Sequence, residues 1–166
     1  MAHFEDPTNE YSTVHSSSEG EVLSRLRRAT WLSTTKPQML SDPIQGRFLA
    51  IISKMIKPVR ILEFGTFTGY ATICLSEGLE KGGIIDTVEI NDELQDIHDK
   101  YFQEAEISEI VRRHYGHALE IIAFDEFVEV HAQHFKYENE VLAEHKFLFD
   151  TNYILLVLRV IISELI

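Results

Sequence analysis

Two acids and two glycines stand at a spacing suited to a small cationic ligand. In Arg60–Leu79, RILEFGTFTGYATICLSEGL, an apolar stretch breaks on Gly65 and Gly69 and resumes as a run of small and apolar residues. Glycine permits the sharp turn and close backbone approach that a ligand cradle needs, and a helix starting at Tyr70 would offer N–H groups to a carboxylate or phosphate. Glu89 lies 20 residues beyond Gly69, in TVEIN, at the end of a second apolar stretch. An acid in that place accepts hydrogen bonds from ribose hydroxyls, an arrangement shared by nicotinamide and adenosyl cofactors. Two details separate these. The loop reads Gly-x-x-x-Gly rather than the Gly-x-Gly-x-x-Gly of dinucleotide binders. Glu63, just ahead of the first glycine, repels a diphosphate but suits a ligand carrying ammonium and sulfonium charges.

The elements that must position these residues alternate in type. Val22, Leu23, Leu26 and Trp31 are spaced for the inner face of a helix from Glu19, ended by the proline of TKPQML. A second helix is predicted over PIQGRFLAIISKMI, with Asp42 as N-cap and Pro43 at its first position, ended by Pro58. RILEF then reads as a buried strand, Gly65–Gly69 as a loop and YATICLSEGLE as a helix stopped by KGG. The unit repeats with strand IIDTVEI, a helix over ELQDIHDKYFQEAE capped by Asn91 or Asp92, and strand IVRRHYG. This alternation predicts an α/β fold of the Rossmann-like, doubly wound kind, a mostly parallel sheet with helices on both faces. Past Ile122 apolar and charged residues mix at helical spacing. Phe147–Phe149 reads as a strand, followed by a buried helix or a second strand, and no recognisable final strands follow.

The chain has 166 residues, 45% hydrophobic, enough for one compact domain over 19–166 preceded by a polar, Ser-rich flexible arm at 1–18. Fifteen Lys and Arg against 27 Asp and Glu give a net charge of -12, which disfavours nucleic acid and anionic membranes as partners. The apolar run YILLVLRVII is too short to cross a bilayer and contains Arg159, and no secretory signal is visible at the N-terminus. The lone cysteine, Cys74, forms no intrachain disulfide and has no cation beside it in sequence, which suits a cytoplasmic location and a buried, unreactive thiol.

LEFGTFTGYATICLSEGL followed by TVEIN resembles the class I S-adenosylmethionine-dependent O-methyltransferases of the catechol and caffeoyl-CoA type, whose signature is close to L-E-[IL]-G-x-[FY]-x-G-Y-S. Ala71 stands in place of the closing Ser. YSTVHSSSEGEVLSRLRRAT, PQMLSDPIQGRFL and YGHALEII resemble further segments of that family, so the similarity spans roughly residues 11–122. The resemblance implies that Gly65, Thr66, Phe67 and Gly69 wrap the methionine part of the cofactor, with Glu63 near its ammonium and Tyr70 packed at the helix start. It further implies Glu89 on both ribose hydroxyls, Ile90 over one adenine face, His117 and Ala118 bordering the adenine, Met39 close to the sulfonium and Ser41 near the amino-acid end. By the same resemblance, Ala71 lacks a hydroxyl that in relatives holds the cofactor carboxylate, a loss of ~1 kcal/mol.

Relatives of this type hold a divalent cation, Mg or Ca, with Asp-x-Asp-Lys after the fourth strand and Asp-Asn after the fifth. Neither stands here in recognisable form. FLFDTNY offers Asp150 as a metal ligand, with Thr151 where the Lys would be, and the chain reaches Ile166 without the later pair. His131, His134 and Glu138 share a helix face at i, i+3 and i+7, a spacing read as a solvated face in preference to a metal site, as are Asp125, Glu126 and Glu129. His114 and Tyr115 read as surface or packing residues. The expectation is a methyltransferase acting on a small hydroxylated, catechol-like aromatic, as a homodimer. The alternatives are a cofactor-binding relative without transfer activity and, with less support, an NAD-dependent oxidoreductase.

Overall fold

A computed structural model of the chain describes residues 11, 12 and 14–122 and the backbone of 153–157. Tyr11, Ser12, Val14 and His15 are helical. The helices that follow are α1 (Glu21–Ser33) and α2 (Pro43–Ile56), with a 3₁₀ turn at Pro37–Met39 between them. Then come β1 (Arg60–Phe64), α3 (Tyr70–Ser76), β2 (Ile84–Glu89), α4 (Gln95–Glu104), β3 (Val111–Tyr115), α5 (Ala118–Ile122) and β4 (Tyr153–Val157). The strands form one parallel sheet in the order β3-β2-β1-β4. This is the Rossmann-like arrangement expected from the alternation. The chain passes from β1 toward β2 on one side while β4 lies on the other. The carboxyl end of β1 is therefore the switch point at which open α/β sheets bind ligands.

Local sequence explains most boundaries. Asp42 caps α2, its side chain accepting from the Gln45 N–H at 2.8 Å, and Pro43 needs no donor at the first position. Lys57, left-handed at φ 52°, closes that helix just before Pro58. Asn91 accepts from Glu93 N–H at 3.1 Å and opens the turn that leads into α4. On α1, Leu23 and Leu26 are buried as the periodicity requires, but Trp31 is 59% exposed. The inner position there belongs to Thr30, which is fully buried and hydrogen-bonds Thr68 at 2.9 Å. A polar side chain wins that place because it finds a polar partner in the loop after β1.

Helix α3 ends at Ser76, before the KGG sequence expected to stop it. Gly78 is the cause. It lies against α2 so closely that an added Cβ would sit 2.1 Å from the Ser53 carbonyl carbon, and Ser53 Oγ donates to the Leu75 carbonyl at 2.6 Å across the same crossing. Glycine favours termination, and here it also permits contact between two backbones. Gly78→Ala must push α2 and α3 apart and should cost ~3 kcal/mol of stability, read from urea unfolding. The core of Leu23, Leu26, Leu49, Ile61, Tyr70, Ile73, Leu75, Ile85, Tyr101 and Phe102 lies between these helices and one face of the sheet.

Asp150, the strand expected at Phe147–Phe149, and the groups at His131, His134 and Glu138 and at Asp125, Glu126 and Glu129 lie outside the described residues. The strand that pairs with β1 is Tyr153–Val157, with Phe64 opposite Val157. It agrees with the second-strand reading of the terminal segment. No helix among the described residues is long and apolar enough to cross a membrane.

Candidate functional site

The loop after β1 and the acid ending β2 meet. Parallel pairing sets Phe64 beside Val88 and Glu89 beside Tyr115, so the three strand ends open on one side. The loop closes onto Glu89. Phe67 N–H donates to Glu89 Oε2 at 2.6 Å, and Asn91 N–H donates to Oε1 at 2.9 Å. A carboxylate offers about four acceptor positions. With the Ile90 N–H also bonded to it, Glu89 keeps acceptor capacity for a ligand hydroxyl. Burial raises the Glu89 pKa above the usual carboxylate range, opposed by the N–H groups of Asn91, Phe67 and Ile90.

The turn demands unusual backbone. Gly65 and Gly69 have φ of 87° and 90°, and between them Phe67 is left-handed at 47°. At Gly69 a Cβ would fall 2.4 Å from the Phe102 ring, so this glycine is required by shape as well as by φ. The loop's donors are largely committed to protein acceptors. Gly65 N–H and Thr66 N–H reach the Val88 carbonyl at 2.9 and 3.3 Å, Gly69 N–H reaches the Thr66 carbonyl at 2.9 Å, and Phe67 N–H is on Glu89. The N–H groups expected to face an anion are those at the start of α3, from Tyr70 on, and none of the bonds above uses them. A diphosphate, which needs several free donors, is poorly served by the loop itself and would depend on the start of α3.

Beneath the loop lies a chain of hydroxyls ending on Glu63. Thr87 and Thr72 both donate to Glu63 Oε2 at 2.6 Å. Thr87 has spent its proton, so Thr66 Oγ1 is the donor in the Thr66–Thr87 contact. Glu63 Oε1 is buried and has no partner among the described residues. Burial, with Glu89 adding like charge, pushes the Glu63 pKa up to about 7 although both threonine bonds oppose the shift. No basic side chain among the described residues forms an ion pair with Glu63 or Glu89, so two uncompensated acids stand at one loop.

The raised Glu63 pKa predicts a pH effect. The native state holds the proton where the unfolded carboxyl, near the ordinary value of 4.5, has lost it. Stability is therefore fully present below about pH 4.5 and falls as the pH rises toward about 7. Glu63→Gln, a permanent mimic of the neutral acid, should remove this fall and leave the variant ~2 kcal/mol more stable than wild type at pH 8. Urea titrations at pH 5 and pH 8 check it.

Other expected residues fall around this centre. Tyr70 starts α3, is 1% exposed, and donates from its hydroxyl to Glu19 Oε2 at 2.8 Å. Arg27 grips the same carboxylate, with Nε 2.9 Å from Oε1, which ties the segment before α1 to the loop helix. Ile90 follows Glu89 and is 70% exposed, a bare apolar side chain beside the acid. His117 is exposed and Ala118 half-buried where β3 passes into α5, and Gly116 N–H is held by the Glu89 carbonyl at 2.8 Å. Met39 ends the 3₁₀ turn and Ser41 precedes Asp42, both half-buried, while α1 leading into them is pinned to the loop through Thr30 and Thr68. Ala71 is buried, and Cys74 is an inert core residue whose thiol burial pushes up to about 11.

His98 was not expected. Fully buried on α4, it places Nε2 2.5 Å from the Phe67 carbonyl and Nδ1 2.8 Å from the Tyr115 hydroxyl. Burial lowers its pKa, the Phe67 carbonyl opposing, so the ring is neutral and Nε2 carries the proton given to that carbonyl. Tyr115 is thus more than a packing residue. His114, also read as surface or packing, approaches Asp86 Oδ1 at 3.2 Å. The sequence signal for His98 was available: a histidine three residues past the helix start and three before the buried Tyr101 falls on the inner face of α4.

The O-methyltransferase family profile matches residues 13–142. A catechol O-methyltransferase from Niastella koreensis is 30% identical over 86 residues, 52% of this chain and 39% of that protein. A caffeoyl-CoA O-methyltransferase from Stellaria longipes is 33% identical over 79 residues, 48% of this chain and 32% of that protein. Among solved structures, the O-methyltransferase TomG from Streptomyces achromogenes, in complex with S-adenosylmethionine, aligns with TM-score 0.66 and 28% identity over 74% of this chain and 55% of that one. An O-methyltransferase from Bacillus cereus in complex with S-adenosylhomocysteine aligns with TM-score 0.66 and 26% identity, over 75% of this chain and 55% of its own. This chain belongs to the O-methyltransferase family. Its matches span less than two-fifths of these curated relatives and about half of the two solved chains.

Proposed function

We propose that this protein binds S-adenosylmethionine at the loop between β1 and α3 and transfers its methyl group to a hydroxyl of a small, catechol-like aromatic. The observation that carries the reading is the meeting of the loop with Glu89. Its carboxylate is fixed by Phe67 and Asn91 N–H groups and keeps acceptor capacity for the ribose. Ile90 flanks the adenine, with His117 and Ala118 at its border, and Met39 and Ser41 approach the methionine part. Glu63, shut behind the loop, acts on the cationic ligand through its field rather than by contact. The bound forms in the TomG and Bacillus cereus structures support this choice of ligand.

In transfer, the acceptor oxygen would take the methyl group in line with sulfur, the carbon–sulfur bonding electrons would return to sulfur, and the hydroxyl proton would pass to bulk water. The sulfonium becomes a neutral thioether. Glu89, joined by Glu63 once the pH exceeds about 7, favours the charged donor over its spent form, which carries one positive charge fewer, and so favours exchange of product for fresh cofactor. Raising salt from 50 to 500 mM should weaken S-adenosylmethionine binding more than S-adenosylhomocysteine binding, roughly twofold or more in the ratio, by calorimetry.

Among the described residues no group of three His, Cys, Asp or Glu side chains gathers where it could hold a metal, and Asp150 lies outside them. The described residues thus do not assemble the cation site the family implies, and no step is assigned to a cation. The sequence, in which neither Asp-x-Asp-Lys nor Asp-Asn stands in recognisable form, supports as a second reading a relative that binds cofactor without transfer. Titration with S-adenosylhomocysteine and with NAD tests the cofactor: binding of the first alone supports the proposal, and binding of NAD alone overturns it. Methylation of a catechol panel, with and without Mg or Ca, then separates a transferase from a binding relative. A homodimer is also proposed. Phe48, Ile51 and Met55 form an apolar stripe on α2, 60, 55 and 79% exposed, and a stable monomer in size-exclusion chromatography would count against it.

A further inference from the structure

We infer that His98 is the positioning residue that holds the cofactor loop in its binding form, an inference that rests on the adenosyl-cofactor reading of the loop. The loop turns on Phe67, whose φ of 47° is unfavourable for a residue with a Cβ. Such a conformation persists only where the surroundings over-determine it. At Phe67 both peptide groups are held. Its N–H is on Glu89 Oε2, and its carbonyl accepts from His98 Nε2. His98 is fixed in turn by Tyr115, whose hydroxyl donates to Nδ1 and so selects the tautomer with the proton on Nε2. The ring also lies 5.4 Å from that of Phe102 at an interplanar angle of 5°, and Phe102 is the side chain on which Gly69 rests.

These contacts form one relay: Tyr115 on β3 orients His98 on α4, His98 holds the Phe67 carbonyl, and the Phe67 N–H aims Glu89. An apolar side chain of similar size at position 98 would leave the Phe67 carbonyl without its buried donor, and the loop would relax from the form that points Phe67 at Glu89. Ligand affinity falls in proportion to the fraction of molecules that keep the competent form. His98→Leu should therefore bind S-adenosylhomocysteine ~10-fold more weakly or worse. His98→Gln, whose amide N–H reproduces the donor to Phe67, should recover most of that loss.

The test is calorimetry of S-adenosylhomocysteine on wild type, His98→Leu and His98→Gln, together with hydrogen exchange of the Phe67 amide in each free protein. Weak binding and faster Phe67 exchange in His98→Leu, both reversed in His98→Gln, is the expected result. Equal affinity and exchange in all three would overturn the inference. So would equal losses in the Leu and Gln variants, because packing alone would then explain them. If wild type ignores S-adenosylhomocysteine, the cofactor reading fails and the exchange arm still decides the role of His98. Should His98→Leu not fold, Tyr115→Phe removes only the tautomer-setting hydroxyl, and its Phe67 amide should exchange faster than in wild type; unchanged exchange there would overturn the relay.

Discussion

Glu89→Gln should bind S-adenosylhomocysteine ~100-fold more weakly than wild type. The two side chains are nearly isosteric, so the loss is one of hydrogen-bond chemistry. Glu89 presents an acceptor to Phe67 N–H and another to Asn91 N–H. Glutamine has one acceptor and one donor, so an amide N–H must face one of those backbone N–H groups. One charge-assisted bond is lost and a second weakened, each worth ~1.5–3 kcal/mol, and a tenfold change in affinity needs only ~1.4 kcal/mol. The variant also loses the acceptors proposed for the ribose. Glu89→Asp keeps the charge but is one methylene short, and should fall between. Calorimetry on the three proteins gives the order, and a Gln variant that binds like wild type would remove Glu89 from the site.

Gly69→Ala should destabilise the fold by ~4 kcal/mol, from a left-handed penalty of ~1–2 kcal/mol and an overpacking cost of ~1–3 kcal/mol. At φ 90° a Cβ is disfavoured whatever the space, and here it would also meet the Phe102 ring at 2.4 Å. The two causes are separable. Adding Phe102→Leu relieves the clash but not the backbone strain, and the double variant should recover about half of the loss once the cost of Phe102→Leu alone is subtracted in a double-mutant cycle. Urea unfolding of the four proteins measures it. Full recovery would mean that the left-handed turn at Gly69 carries no cost.

Much of this site was legible because it depends on local chemistry. Gly65 and Gly69 were readable as turn residues and Glu89 as the end of a strand, and parallel pairing then brought them together. Asp42 before Pro43 marked the start of α2 without any knowledge of its neighbours. The misses have a common cause. Trp31 sits at a helical inner-face spacing yet faces solvent, because Thr30 meets Thr68, a partner 38 residues away. The early end of α3 depends on the backbone of α2 against Gly78. His98 and Tyr115 acquire meaning only when α4 and β3 are brought beside the loop. Spacing along the chain does not encode which polar groups meet across elements. The partners of the loop's own N–H groups, Val88, Thr66 and Glu89, were hidden for the same reason.

The most direct test follows backbone amides by NMR as S-adenosylhomocysteine is added to labelled protein. If the loop and Glu89 serve one adenosine-bearing ligand, the amides of Gly65, Phe67, Gly69, Asn91 and Gly116 shift together along one saturable curve, while NAD leaves them in place. Saturable binding that bypasses these five, or no response to the nucleoside at millimolar concentration, would contradict the account.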